Sequence, residues 1–142
     1  MKILLAVDGS KSSLRGVQCV IDHAEWYRQR PTVRLVTVQL PIPRVPNMGK
    51  VVGAGQIAKY YQEEGAKALA AAKRKLDAAG IRYEAEVLVG KPAEAIVKEA
   101  KAAGADLICI GTRGMTELGG FALGSTATRV LHIADRPVLL AK

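Results

Sequence analysis

The residues best suited to chemistry stand in one run near the end of the chain. They are Gly111-Thr112-Arg113-Gly114, nine intervening residues, then Gly124-Ser125 with Thr126-Ala127-Thr128 after them. The run starts where the aliphatic stretch Leu107-Ile108-Cys109-Ile110 stops and ends where a helical pattern opens. A strand end, a glycine turn, a connecting loop and a helix N-terminus together make an anion site. Gly111 and Gly114 let the backbone approach a bound group closely and permit positive φ. The unpaired amides of a first helical turn, with the helix dipole behind them, favour negative charge. Arg113 adds a mobile cation, and Ser125 a hydroxyl. A second polar group, Asp8, closes the first aliphatic stretch in Ala6-Val7-Asp8-Gly9-Ser10. In an open parallel sheet, ligands bind beyond the carboxyl ends of the strands where strand order reverses. If the first and fourth strands are neighbours, Asp8 faces the Gly111–Gly114 turn, where its carboxylate accepts hydrogen bonds from a ribose or a base amino group. Asp8 taken alone reads as a turn or helix-capping residue; the second loop weights it towards a site.

Other groups offer less. Cys19, His23 and Trp26 lie one turn apart on the first helix, but a metal site needs a third ligand that the sequence does not supply. A partly exposed contact face is the simpler reading. Cys109, inside an aliphatic run, reads as a buried thiol, and two cysteines 90 positions apart make no disulfide framework. Gly53-Ala54-Gly55-Gln56-Ile57-Ala58 fits GxGxxA but follows a proline-rich loop and not a strand, and no GxxxxGK[ST] is present. His132 reads as structural and Asp106 as a turn residue. Thr37 and Gln39 alternate with aliphatic neighbours near the end of the second strand.

The elements that must position the glycine run alternate along the chain. Aliphatic runs at Ile3–Val7, Val33–Val38, Tyr83–Val89, Leu107–Ile110 and Val138–Leu140 predict strands covered on both faces. Between them, Leu14, Val17, Ile21 and Ala24 form a helical stripe, and Ile57–Ala79 is rich in helix formers and stops at Gly80. Pro92 suits a first helical turn ahead of Ile96, Val97 and Ala100. A last helix spans Ser125 to Ala134 and stops before Pro137. The order βαβαβαβαβ predicts an α/β fold, a mostly parallel sheet with helices on both faces. The connection Pro41–Gly55 is long for such a fold, and loops of that length are often functional. The 142 residues suit one domain spanning 1–142. The net charge of +8 permits anionic partners. The basic residues are scattered, however, and the single run, Lys73-Arg74-Lys75, sits on a helical face, so nucleic acid is not favoured. The five-residue Ile3–Val7 stretch is too short for a signal core or a membrane span, which gives the expectation of a soluble, cytoplasmic protein with no membrane partner.

Gly111-x2-Gly114-x9-Gly124-Ser125, the opening Ile3-Leu4-Leu5-Ala6-Val7-Asp8-Gly9-Ser10 and the closing Arg136-Pro137-Val138-Leu139-Leu140 resemble the universal stress protein family. The three segments stand in the family's order and spacing and span essentially the whole chain. The resemblance implies an open five-stranded sheet of order 3-2-1-4-5 with helices on both faces, of the Rossmann-like adenine-nucleotide-binding type. It implies ATP, or ADP or AMP, with Mg2+ or Mn2+, as cofactor. Asp8 would contact adenosine, Ala6 and Val7 would line the adenine pocket, and Val38 would touch the base. Gly111, Thr112, Arg113, Gly114, Gly124, Ser125, Thr126 and Ala127 would surround the ribose and phosphates. Ala127 departs from the hydroxyl residue that ATP-binding members often have there, and its neighbours Thr126 and Thr128 carry the hydroxyls instead. The resemblance also implies a homodimer through Val138–Ala141 and a nucleotide-dependent switch in the stress response. The alternative is a dimeric scaffold of the same fold that holds no nucleotide. The ATP-splitting relatives of the fold use a Ser-Gly-Gly-x-Asp-Ser loop after the first strand. That loop is missing here and no general base is evident, so any hydrolysis is expected to be slow.

Overall fold

The computed structural model describes residues 1–43, 53–112 and 123–142. Five strands and four helices alternate: β1 (Lys2–Ala6), α1 (Lys11–Asp22), β2 (Thr32–Gln39), α2 (Ala54–Ala78), β3 (Tyr83–Val89), α3 (Pro92–Ala102), β4 (Leu107–Gly111), α4 (Ser125–Ile133) and β5 (Val138–Ala141). All strand pairs are parallel, and the order is β3-β2-β1-β4-β5, as the resemblance implied. The chain builds outward from β1 through β2 to β3, then returns to place β4 on the other side of β1. That return makes β1/β4 the point where strand order reverses.

The core has two halves because successive strand residues face opposite ways. Ile3, Leu5, Val7, Val33, Leu35 and Cys109 lie under α1 and α2 with Val17, Val20, Leu69, Ala72 and Leu76. Leu4, Ala6, Val36, Ile108 and Ile110 lie under α3 and α4 with Ala93, Ile96, Ala100, Ala127 and Val130. Two glycines set how closely α1 and α2 approach the sheet. A Cβ on Gly65 would fall 2.3 Å from Val87 Cγ2, and one on Gly111 would fall 2.7 Å from the Ser12 carbonyl oxygen.

The helix ends follow local chemistry. Pro92 opens α3, and Gly80 at φ +64 turns the chain after α2. Helix α1 ends at Asp22, and a 3-10 turn, Ala24–Trp26, keeps Ala24 buried beyond its end. Strand β3 is not a continuous apolar run. Tyr83, Ala85 and Val87 pack under α2, while Glu84 and Glu86 alternate with them and, with Glu99 of α3, surround the Arg34 guanidinium. No described helix is long and apolar enough to cross a membrane.

Candidate functional site

The register Ala6↔Ile110 makes Val7-Asp8 leave β1 level with Gly111-Thr112 leaving β4. Thr112 then joins three elements through its main chain. Its N–H donates to the Ala141 carbonyl of β5 at 3.0 Å, and its carbonyl accepts from the Gly124 N–H at 2.8 Å. The second bond brings the two halves of the glycine motif together and fixes the N-terminus of α4 beside the carboxyl end of β4. Gly124 is the N-cap of α4, at φ −61 and ψ 145, with no side chain capping the helix. The first intrahelical bond runs from the Thr128 N–H to the Gly124 carbonyl at 2.9 Å. The amides of Ser125, Thr126 and Ala127 are therefore first-turn donors that the helix leaves unpaired. Ser125 is exposed and Thr126 half-buried, so amides and hydroxyls are presented together at the positive end of the dipole.

The N-terminus of α1 is closed by its own side chains. Ser10 Oγ accepts from the Ser13 N–H at 3.1 Å, and Ser13 Oγ donates to the Ser10 carbonyl at 3.0 Å. Asp8 Oδ1 accepts from the Ser10 N–H at 3.0 Å, and the Asp8 N–H donates to Ser13 Oγ at 3.3 Å. Ser10 is thus the N-cap, and Asp8 is half-buried and held by one carboxylate oxygen in the turn before it. Ser10 ahead of Leu14 is a helix-start signal legible in the sequence.

The remaining expected site residues divide. Arg113 and Gly114 lie outside the described residues. Ala6 and Val38 share the α3/α4 side of the sheet, whereas Val7 packs under α1 and α2, so the two residues expected to line one pocket face opposite ways. Ala127 is 2% exposed and packs in the α3/α4 half of the core, which leaves only its main-chain amide for a ligand. Gly111 has no positive φ, and its missing side chain makes room for the first turn of α1 and not for a bound group. Thr37 is buried on the side opposite Val38.

The other candidates are accounted for locally. Cys109 is fully buried, its Sγ 3.7 Å from the Gly16 carbonyl, and burial pushes its thiol up to about 12, with Cys19 a smaller influence. Burial, then Asp22, also raises the Cys19 thiol. His23 Nδ1 lies 2.7 Å from the Cys19 carbonyl and its ring meets Trp26 edge-on, leaving Trp26 79% exposed. Among the described residues no three His, Cys, Asp or Glu side chains group to hold a metal. His132, expected to be structural, is exposed in the last turn of α4. Asp106 accepts from the Lys2 N–H at 2.8 Å, as a turn residue between β1 and β4. A cavity of about 920 Å3 lies at the other end of the sheet, lined in part by Lys2, Arg34, Asp77, Arg82 and Glu84. There Arg34 pairs with Glu84, and Lys2 Nζ donates to the Ala103 carbonyl.

Comparison with known proteins agrees with this arrangement. The chain is 35% identical over 141 residues to Universal stress protein MJ0531 of Methanocaldococcus jannaschii, covering 99% of this chain and 81% of that protein. Its fold superposes on the solved structure of MJ0577 from the same organism with a TM-score of 0.78 and 28% identity, covering 99% of this chain and 94% of the other. It also superposes on a universal stress protein solved in complex with cAMP, with a TM-score of 0.73 and 26% identity over 100% of this chain and 97% of that one. The profile described as "Universal stress protein family" matches residues 1–142. With that match over the whole chain, a relative of 35% identity and a shared fold, the chain belongs to the universal stress protein family.

Proposed function

We propose that this protein binds an adenine nucleotide, ATP before ADP or AMP, at the carboxyl ends of β1 and β4 and acts as a nucleotide-dependent dimeric switch in the stress response. The observation that carries the reading is the Gly124–Thr112 bond, which sets a helix N-terminus without a side-chain cap against the end of β4. The phosphates would take the amides of Ser125, Thr126 and Ala127 and the hydroxyls of Ser125 and Thr126. Arg113, Gly114 and Thr112 would be further neighbours of the ribose and phosphates. Adenosine would lie towards Asp8, whose second carboxylate oxygen can accept from the ribose, and towards Ala6 and Val38. The cAMP complex of a relative supports an adenine ligand for this fold. Mg2+ or Mn2+ would arrive with the phosphates, whose oxygens are hard ligands for such ions. Hydrolysis would be slow, because Asp8 stands at the adenosine end and is engaged in the α1 turn. That engagement of Asp8 also favours a second reading, a scaffold of the same fold that holds no nucleotide.

Acid release of small molecules from freshly purified protein, mass spectrometry, and titration of emptied protein with ATP and Mg2+ or Mn2+ separate the two. Co-purified ATP or ADP that rebinds in the micromolar range is the expected outcome. No released nucleotide and no binding with either ion would sink the switch and leave the scaffold.

A further inference from the structure

The chain leaves β2 as Leu40-Pro41-Ile42-Pro43. Proline has no N–H, so Ile42 carries the one main-chain donor between Pro41 and Pro43. That donor goes to the phenolic oxygen of Tyr61, 2.6 Å away. Tyr61 stands on a stretch of α2 that enters no core: from Gly55 to Glu64 no residue is buried, and burial begins at Gly65 and Leu69. The 25 residues of α2 span about 38 Å, whereas the 8 residues of β2 span about 26 Å. The first turns of α2 therefore project past the sheet at its carboxyl end, where Val38 is the last apolar residue of β2 on the α3/α4 side.

We infer that Tyr61 is a positioning residue for the base-binding end of the crevice. By holding Ile42 it fixes the path of the chain just beyond Val38, and with it the wall against which an adenine ring lies. The inference rests on the adenine-nucleotide reading above and adds to it a determinant of base recognition on α2, outside the glycine motif. Tyr61 acts through Leu40–Pro43 and not on the phosphates, so its loss separates the two ends of the ligand.

Tyr61→Phe keeps the ring and removes the acceptor. The expected result is a roughly threefold to tenfold weaker ATP dissociation constant, the size of one net hydrogen bond. Displacement of a fluorescent nucleotide by inorganic tripolyphosphate gives the same tripolyphosphate affinity as before, and the Ile42 amide exchanges with deuterium faster. Unchanged ATP affinity, or equal weakening of ATP and tripolyphosphate, would overturn it. Wild-type protein that binds no adenine nucleotide would remove the site and this inference together. Wild type that binds ATP beside a Tyr61→Phe variant that binds as well would remove the inference alone.

Discussion

Gly111 and Gly124 look alike in the motif and do different work. Gly124 has extended backbone that any residue adopts, and as N-cap it stands in front of the free amides of α4. A side chain there obstructs the approach of an anion without straining the chain. Gly111 lies against the first turn of α1, where a Cβ would meet the Ser12 carbonyl oxygen at 2.7 Å and Ser13 Cα at 3.1 Å. Those contacts are backbone and have little room to move. Gly124→Val is therefore expected to abolish ATP binding with an unfolding midpoint near wild type. Gly111→Ala should cost about 2–3 kcal/mol by overpacking. Urea unfolding and ATP titration of both variants check this, and a Gly124→Val protein that binds ATP normally would dismiss the α4 terminus as the phosphate site. From the sequence both glycines read as ligand-facing, because spacing reports that a small residue is required and not which neighbour requires it. Asp8 was ambiguous for a related reason, since a carboxylate before a helix suits a turn and a site equally. The structure shows the turn directly.

At the scale of elements, the aliphatic runs located all five strands, apolar stripes located α1 and α3, and helix formers with start and stop signals located α2 and α4. The misplacements fall where burial gives no periodic signal. Helix α2 starts at Ala54, ahead of Ile57, because its projecting turns contact no core to pattern them. The Glu84/Glu86 alternation of β3 was legible in the letters, but its partner Arg34 lies 50 residues earlier in the sequence. Arg136 shows a similar long-range tie. Its Nη1 donates to the carbonyls of Ala100 at 2.9 Å and Ala105 at 2.5 Å, while its Nε donates to Asp135 at 2.8 Å. One half-buried guanidinium thus adds a second donor at the C-terminal end of α3 and pins the entry to β5 against the turn before β4. Arg136→Ala is expected to destabilise the fold by about 2 kcal/mol, within the usual range for charged hydrogen bonds, although the Ala100 carbonyl keeps its bond from the Ala105 N–H. It should leave ATP affinity unchanged, because this tie is at the amino end of the sheet. Denaturant unfolding with parallel ATP titration tests both halves, and a loss of affinity at full stability would contradict the assignment.

Over the whole molecule, charge and edges are distributed unevenly. Helix C-termini gather at the amino end of the sheet, and Lys75 and Lys101 stand in the last turns of α2 and α3. Such placement complements the helix dipoles, so part of the +8 charge has an internal reason and needs no polyanionic partner. The two sheet edges differ more sharply. Edge strand β3 presents Glu84 and Glu86, the kind of charge that discourages strand addition. Edge strand β5 is Val-Leu-Leu-Ala and carries no charge. Pro137 and Ala141 give their carbonyls to Ile108 of β4 and to Thr112 just after it. The two-residue alternation of a strand then turns the main-chain groups of Val138 and Leu140 to the open edge. Pairing of this edge with a second copy would satisfy those groups and cover the aliphatic strand. Proline at position 140 removes an outward donor while sparing the inner ladder, the position at which sheets tolerate it. Leu140→Pro is therefore expected to give a monomer near 15.1 kDa by light scattering, where wild type gives twice that mass. It should also cost about 1–2 kcal/mol for the part-buried leucine. A monomeric wild type would end the case for β5 pairing, and a Leu140→Pro variant that stays dimeric would move the interface elsewhere. Thr112 holds the end of this edge strand with one main-chain group and the N-cap of α4 with the other. Titrating ATP into wild type during the mass measurement consequently tests whether the nucleotide site and the dimer edge respond together: a dimer fraction that rises or falls with ATP supports the switch, and one that ignores ATP leaves binding and assembly as separate properties.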